Sequence, residues 1–513
     1  MSPILLALFV VALVACLVRY ARSRPPDFPP GPLRLPVWGN LWQLLLRNNK
    51  YPMKAMAALA KEYGGPLLGL YLGDYPMLVA NDLETVRDMF SHPAFQGRPD
   101  SFSGRVRASG RLHGIFFTDG PYWEEQRRFS LRHMRDYGFG RRFERLEAVV
   151  LEEVQGVVNV LRGCITPHDA DVARAAGADG VRSAHFPDVL AAAAMNMGLA
   201  VLTGTRLPAD QYPAARVVAR HVQDFQRSGN AGGRAIDVTP WLRFVAPGAS
   251  GYATWKSGND GLLEFIKEHV QDHKESFDAE VIRGFCDKYL SEMKQRIGED
   301  SSFSEMQMVL ILMDYLFPTA TAVPSAITFA VIFMMHHPDL ADRAHEEIKN
   351  VVGLDRLPDL NDRANLPYTE AFLRETLRLT GTPLAVTHRA TEDSYFRGYY
   401  IPKNTFIVPN TWAAHRDPKV FEKPDEFRPE RFLQQNGQLK KKDPTLSFGL
   451  GKRLCAGETF ARQNLFMFLA ALLQNFRFRM PEGVPVPEPE EDALFGLIMT
   501  PTNEMWIEVS DRS

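Results

Sequence analysis

Ten residues near the C-terminus, Phe448-Gly449-Leu450-Gly451-Lys452-Arg453-Leu454-Cys455-Ala456-Gly457, run directly into a predicted helix over residues 458–473. Two glycines one residue apart permit backbone conformations that other residues resist, so the chain must make a tight, irregular loop here. The loop delivers a cysteine to the start of a helix. Loop N–H groups and the positive end of the helix dipole favour a thiolate at that place. A buried, inert cysteine in a glycine turn is the ordinary alternative. The other cysteines, Cys16, Cys164 and Cys286, are scattered and form no CxxC pair. That spacing points away from a zinc site or a disulfide framework and towards a reducing compartment.

Apolar residues fill positions 4–18 without interruption, and Arg19, Arg22 and Arg24 follow at once. A bilayer span needs about 20 residues. With residues 1–3 added, and Arg19 and Tyr20 snorkelling, residues 1–20 suffice for a single-pass anchor. Charges after the run place the body of the protein in the cytosol. A cleaved signal peptide would carry charges before the run and an A-x-A-like site behind it. Leu13-Val14-Ala15-Cys16 has the look of a lipoprotein box, but the leading charges are missing. Residues 21–40 read as a basic, proline-rich hinge, because Pro25, Pro26, Pro29, Pro30 and Pro32 remove donors and restrict their predecessors. A proline-motif ligand for a partner is the alternative.

Residues 41–513 are expected to form one catalytic domain, mainly α with a minor β region. Leu67–Leu72 and Tyr75–Ala80 flank Gly73-Asp74 as a hairpin. Helical periodicity then dominates, with predicted helices over residues 83–91, 120–136, 142–162, 188–203, 214–226, 258–274, 285–295, 305–336, 340–351, 368–379 and 458–473. Residues 163–182 and 227–233 read as loose. The formal net charge of −2 supplies no field for nucleic acid.

The cysteine loop matches F-G-x-G-x-R-x-C-x-G at every fixed position. The chain thereby resembles the cytochrome P-450 enzymes, haem-thiolate monooxygenases whose many helices surround a buried haem b. The resemblance implies that Cys455 is the axial thiolate of the iron, pushing electron density onto it. It implies too that Phe448 and Gly457 lie against the cofactor and that Arg453 reaches a haem propionate. Glu375-Thr376-Leu377-Arg378 puts an acid and a base at i and i+3 on one helix face. Arg431, in Pro429-Glu430-Arg431-Phe432, resembles the third member of the family's Glu-Arg-Arg network, a scaffold beneath the haem. Trp123 and Arg127 match the W-x-x-x-R pair that gives two donors to propionates, and Arg98 and His388 match further propionate positions.

The resemblance runs from the hinge to about Met499. In detail it is to animal microsomal members, arthropod ones in particular, of the clan that acts on steroids, terpenoid hormones and foreign chemicals. It implies a cytosol-facing enzyme of the endoplasmic reticulum membrane. Electrons would come from NADPH through NADPH-cytochrome P-450 reductase, with cytochrome b5 as a further donor. Arg128, Arg132 and Arg135 share a helix face, and Lys440-Lys441-Lys442 precede the cysteine loop. Both are candidates for docking an acidic reductase, with ordinary solvated charge as the alternative.

One element departs from the family pattern. The long helix should carry [AG]-G-x-[DE]-T-[TS]. Counted back from His337-Pro338, the aligned residues are Pro318-Thr319-Ala320-Thr321-Ala322-Val323. Thr321 therefore stands at the acid position and Ala322 at the alcohol position. The usual pair organises the relay of protons that dioxygen cleavage consumes. Thr319 or Ser325, each one turn from Ala322, can hold a replacement water, or the substrate can contribute a hydroxyl or carbonyl. Two other readings are a reductase-independent isomerase or dehydratase acting on a peroxide, and a non-catalytic haem-binding protein. The intact signature and the candidate basic face favour the monooxygenase, with Cys455, Thr319, Thr321 and Ala322 at the reacting centre. Pro318 and Pro324 are expected to kink this helix.

Residues 112–116, 316–320, 383–387 and 495–498 are expected to line the distal pocket. They are overwhelmingly apolar, which suits a lipophilic substrate. The arthropod resemblance suggests a sesquiterpenoid such as methyl farnesoate, with epoxidation as the reaction. Hydroxylation and epoxidation are not separable at this level, because pose decides between them.

Overall fold

The computed structural model describes residues 3–108, 110–177, 180–227, 235–298, 301–382, 384, 386–502 and 505–512. Pro3–Arg22 forms a 20-residue helix with no buried residue. At 1.5 Å per residue it is about 30 Å long, the thickness of a bilayer core. The segment behind it does not hang free. Gly69 N–H donates to the Pro30 carbonyl at 2.8 Å, and the Arg24 guanidinium donates to the carbonyls of Pro29, Gly31 and Pro32. Phe28 is buried beside Leu67 and Tyr71. A Cβ on Gly31 would fall 1.9 Å from the Gly69 carbonyl oxygen, so only glycine permits the approach. The hinge is thus docked on the body.

The hairpin Leu67–Leu72 and Tyr75–Ala80 occupies the predicted residues and continues into a four-stranded sheet through Phe406–Pro409 and His388–Arg389. Met77 pairs with Phe406 in parallel register, and His388 with Ile407 in antiparallel register. A second sheet orders Ala173–Arg174, Arg182–Phe186, Met505–Asp511 and Phe476–Arg479. Residues 163–182, read as loose, therefore include a strand. It is only two residues long and pairs with Arg182–Phe186, too short a run to leave an alternation signal. Residues 228–233 of the other loose stretch lie outside the described residues.

The long helix Glu305–His336 passes through the molecular centre and matches its prediction. Its length and hydropathy would also suit a membrane span, but most of it is buried inside the protein, so it is a core helix. It packs against Ala191–Leu202, Tyr252–Glu275 and Glu458–Asn475. Pro318 and Pro324 lie within it without ending it. Each instead deprives the carbonyl four residues earlier, on Asp314 and Ala320, of an N–H donor.

Helix Tyr252–Glu275 starts well ahead of the predicted residue 258. Gly258 reads as a weak helix former, yet it sits mid-helix because a Cβ there would lie 2.4 Å from the His221 carbonyl. Close approach to helix Tyr212–Arg227 demands the glycine.

Candidate active site

The cysteine loop folds as its glycines require. Gly449 and Gly451 have φ of 75° and 72°. A Cβ on Gly451 would meet the Phe90 carbonyl at 2.9 Å, so that position also needs close approach. Cys455 N–H donates to the Phe448 carbonyl at 2.9 Å, and Leu454 N–H to Gly451 at 3.1 Å. Helix Glu458–Asn475 starts three residues after the cysteine. The sulfur is exposed to a cavity of about 320 Å³ inside the protein, yet it lies deep beneath the molecular surface. Depth governs its titration. Burial pushes the thiol up, against the Gly457 N–H and the Arg127 and Arg462 guanidiniums that favour the thiolate.

Arg98, Arg127, His388, Phe448, Arg453, Cys455 and Gly457 all line this cavity, as do Thr319 and Ala322. Arg453 donates from Nε to the Gln96 carbonyl at 2.9 Å and stacks 3.6 Å above the Trp123 ring. Its Nη1 and Nη2 are buried without a partner. Burial lowers its pKa to about 9, and Arg127 adds to the effect. Arg98, held by the Phe116, Val386 and Thr387 carbonyls, is also lowered well below the usual value, by burial and by Arg453. Arg127 donates to the Leu454 carbonyl at 2.5 Å. Among the described residues Asp314 is the one carboxylate lining the cavity, and it is already paired with Arg107. A wall of three guanidiniums, one with two unmade hydrogen bonds, is costly unless an anionic partner enters. The two propionates of haem b fit that requirement.

Two expected donors differ from their sequence reading. Trp123 gives its Nε1–H to the Ile115 carbonyl at 3.0 Å and does not line the cavity. It is the platform under Arg453 instead of a propionate donor. His388 donates from Nδ1 to the Phe95 carbonyl at 2.8 Å, and burial lowers its pKa well below the usual value. Neutral, it has only an acceptor at Nε2. It can donate to a carboxylate only after taking a second proton.

The structure brings Glu375, Arg378 and Arg431 together. Arg378 binds Glu375 in a fork, at 2.7 and 2.9 Å, with both side chains fully buried, and Arg431 Nε reaches the same carboxylate at 2.8 Å. His415, which the sequence reading missed, joins this network to the cysteine loop. Its Nδ1 donates to the Arg378 carbonyl at 3.0 Å and its Nε2 accepts the Leu446 N–H at 2.8 Å. Nothing in its sequence neighbourhood marks it, because its partners, Arg378 and Leu446, come from two other segments of the chain.

On the distal side, Thr319, Ala322 and Ser325 follow one another along the cavity wall. Thr321 does not. It is fully buried, donates to the Phe317 carbonyl at 2.9 Å, and accepts from Gln226. The expected lining is met at Ile115, Phe116, Phe317, Pro318, Val386, Leu497 and Ile498, whereas Leu112, Leu316 and Phe495 do not line the cavity. Pro383 and Ala385 lie outside the described residues. Asp314 was also missed. It accepts the N–H groups of Ile115 and Phe116, at 2.7 and 3.0 Å, and so fixes the loop over the pocket.

A cysteine at a helix start, an anion-seeking arginine wall and an apolar chamber opposite define a haem-thiolate site. The cytochrome P450 family model matches residues 29–507, and the chain belongs to that family. It is 30% identical to Cytochrome P450 2U1 of Homo sapiens, over 96% of this chain and 92% of that protein. It is 31% identical to Cytochrome P450 2B4 of Oryctolagus cuniculus, over 96% and 94%. With Farnesoate epoxidase of Bombyx mori the identity is 29%, over 91% of each. The cofactor is therefore haem b and the reaction class is monooxygenation.

Proposed function

We propose that the protein is a membrane-anchored monooxygenase of lipophilic small molecules on the cytosolic side of the endoplasmic reticulum membrane. Its electrons come from NADPH through NADPH-cytochrome P450 reductase. The observation that carries this reading is the cavity, with Cys455 and the unsatisfied Arg453 on one side and Phe116, Phe317, Val386 and Leu497 on the other. When bound, the haem supplies oxygen activation. The protein's own residues bind, orient and move protons. The unburied helix Pro3–Arg22 supports anchoring, and exposed Trp241, Phe244 and Val245 add apolar surface suited to a bilayer. Exposed Arg128, Arg132 and Arg135, on the helix whose Arg127 binds the cysteine loop, support reductase docking.

The proton relay falls to Ser325. Thr319 already donates its hydroxyl proton to the Tyr315 carbonyl at 2.9 Å, so it can only accept. Ser325 lines the cavity one turn from Ala322 with its Oγ committed to no described residue. Ser325→Ala should lower product formed per NADPH consumed by about 10-fold or more, the scale of a lost proton-transfer group. Ala322→Thr in that background should restore part of it. Unchanged coupling in Ser325→Ala would remove Ser325 from the relay.

Similarity to a farnesoate epoxidase supports a terpenoid substrate, with methyl farnesoate the first compound to test. A reduced, CO-bound difference spectrum should show a thiolate-ligated haem, and reductase with NADPH should convert a terpenoid, steroid or foreign compound. The reading fails if no such compound raises NADPH consumption while an organic hydroperoxide is rapidly rearranged.

A further inference from the structure

Gln226 closes helix Tyr212–Arg227 next to its last residue and is 1% exposed. Its backbone carbonyl accepts the Leu497 N–H at 3.3 Å. A Cβ on Gly496 would lie 2.7 Å from the same oxygen. The 494–500 turn therefore presses directly on Gln226 and leaves its main chain little freedom. The side chain reaches the long helix and hydrogen-bonds Thr321, yet Gln226 also lines the cavity.

The orientation of the amide follows from counting protons. The Thr321 hydroxyl has one hydrogen and gives it to the Phe317 carbonyl at 2.9 Å. Its oxygen can then only accept, so the amide group facing it must be the Nε2 donor. That leaves the carbonyl oxygen Oε1, which is buried and bonded to no described residue. A buried, unmatched acceptor is expensive unless a donor arrives with the ligand.

We propose that Gln226 is a substrate-contacting specificity residue whose Oε1 accepts a hydrogen bond from a hydroxyl or N–H on the substrate, with Thr321 as the positioning residue that holds the amide in this sense. The favoured substrate is then a lipophilic alcohol or amide, and among terpenoids an alcohol is favoured over the ester methyl farnesoate. Esters, ketones and ionised carboxylates offer this oxygen only further acceptors. Thr321, which stands at the family's acid position, serves recognition here. The inference rests on the monooxygenase reading for what happens to the bound molecule, but not for the binding itself.

Matched probes test it in the full-length holoenzyme: farnesol against its methyl ether, and 1-dodecanol against its methyl ether. Binding is read from the substrate-induced spin-state shift of the haem. Each alcohol should bind about 10–100-fold more tightly than its ether, the scale of a satisfied against an orphaned buried acceptor. In Gln226→Leu the gap should shrink to about 2-fold or less, with ether binding unchanged or improved. Thr321→Val should narrow the gap by loosening the amide, and Thr321→Ser should retain it. An unaltered CO difference spectrum shows that each variant keeps its haem site. Alcohols that bind no better than their ethers in the unaltered protein overturn the proposal, as does a gap that survives in both Gln226→Leu and Thr321→Val. Failure to consume NADPH, with the gap intact, would instead overturn only the monooxygenase reading.

Discussion

Arg453 buries a guanidinium whose two terminal nitrogens bond nothing in the described protein, while its Nε and its stack on Trp123 hold it rigidly in place. Such a residue stabilises the loaded protein and strains the unloaded one. Replacing it with leucine should weaken haem retention by about 10–100-fold, the loss of one or two charge-assisted hydrogen bonds. The unloaded chain should unfold at the same or higher urea concentration, because an unpaired buried charge is removed. Haem transfer to apomyoglobin and urea titration separate the two effects. His415 adds a pH dependence. Burial, aided by Arg378, pushes its pKa down to about 3. An unfolded histidine sits near 6.5, so between the two values the unfolded chain takes up a proton that the folded chain refuses. This contribution is complete above about pH 6.5 and is lost as pH falls towards 3, at about 1.4 kcal/mol per unit. His415→Gln should flatten the stability-against-pH curve in that window by about one proton, measured by urea unfolding at successive pH values.

Helix Tyr252–Glu275 shows how packing overrules local preference. In an isolated helix, Gly258→Ala would stabilise by about 1 kcal/mol. Here the new methyl group would strike the His221 carbonyl and lie 2.9 Å from Phe225 N. The substitution should therefore destabilise by about 1–3 kcal/mol, the usual scale of overpacking, in a thermal or denaturant melt. The same conflict explains why the start of this helix was misplaced from sequence. Glu305–His336, by contrast, was placed correctly in spite of two internal prolines, because a 32-residue apolar segment bounded by the Ser304 cap and Pro338 outweighs two missing donors.

At the scale of the molecule, charge and apolar surface divide two tasks. The Gly120–Arg135 helix supports the cysteine loop through Arg127 and turns Arg128 and Arg132 to solvent. Reversing these two to glutamate should slow reduction by the flavoprotein about 10-fold at low salt, with the difference fading as ionic strength rises, because steering is screened. Stopped-flow reduction across a salt series reads this directly. Removal of residues 3–22 should release the protein from sedimenting membranes, and residual binding would locate further apolar contact around Trp241 and Phe244.

The cysteine loop, the Glu375–Arg378 pair and the central helix were legible from residue order, and the arginines at 98, 127 and 453 from the family resemblance. The first three depend on local geometry: glycine dihedrals, i and i+3 spacing, or a long, mostly apolar segment. Hydrogen-bond partners chosen by the packed fold were not. The Trp123 donor goes to Ile115, Thr321 turns to Gln226, and His415 ties Arg378 to Leu446. Spacing along a chain says which face a side chain occupies. Only the packed fold says which neighbour reaches it first and which polar atom is left facing the cavity.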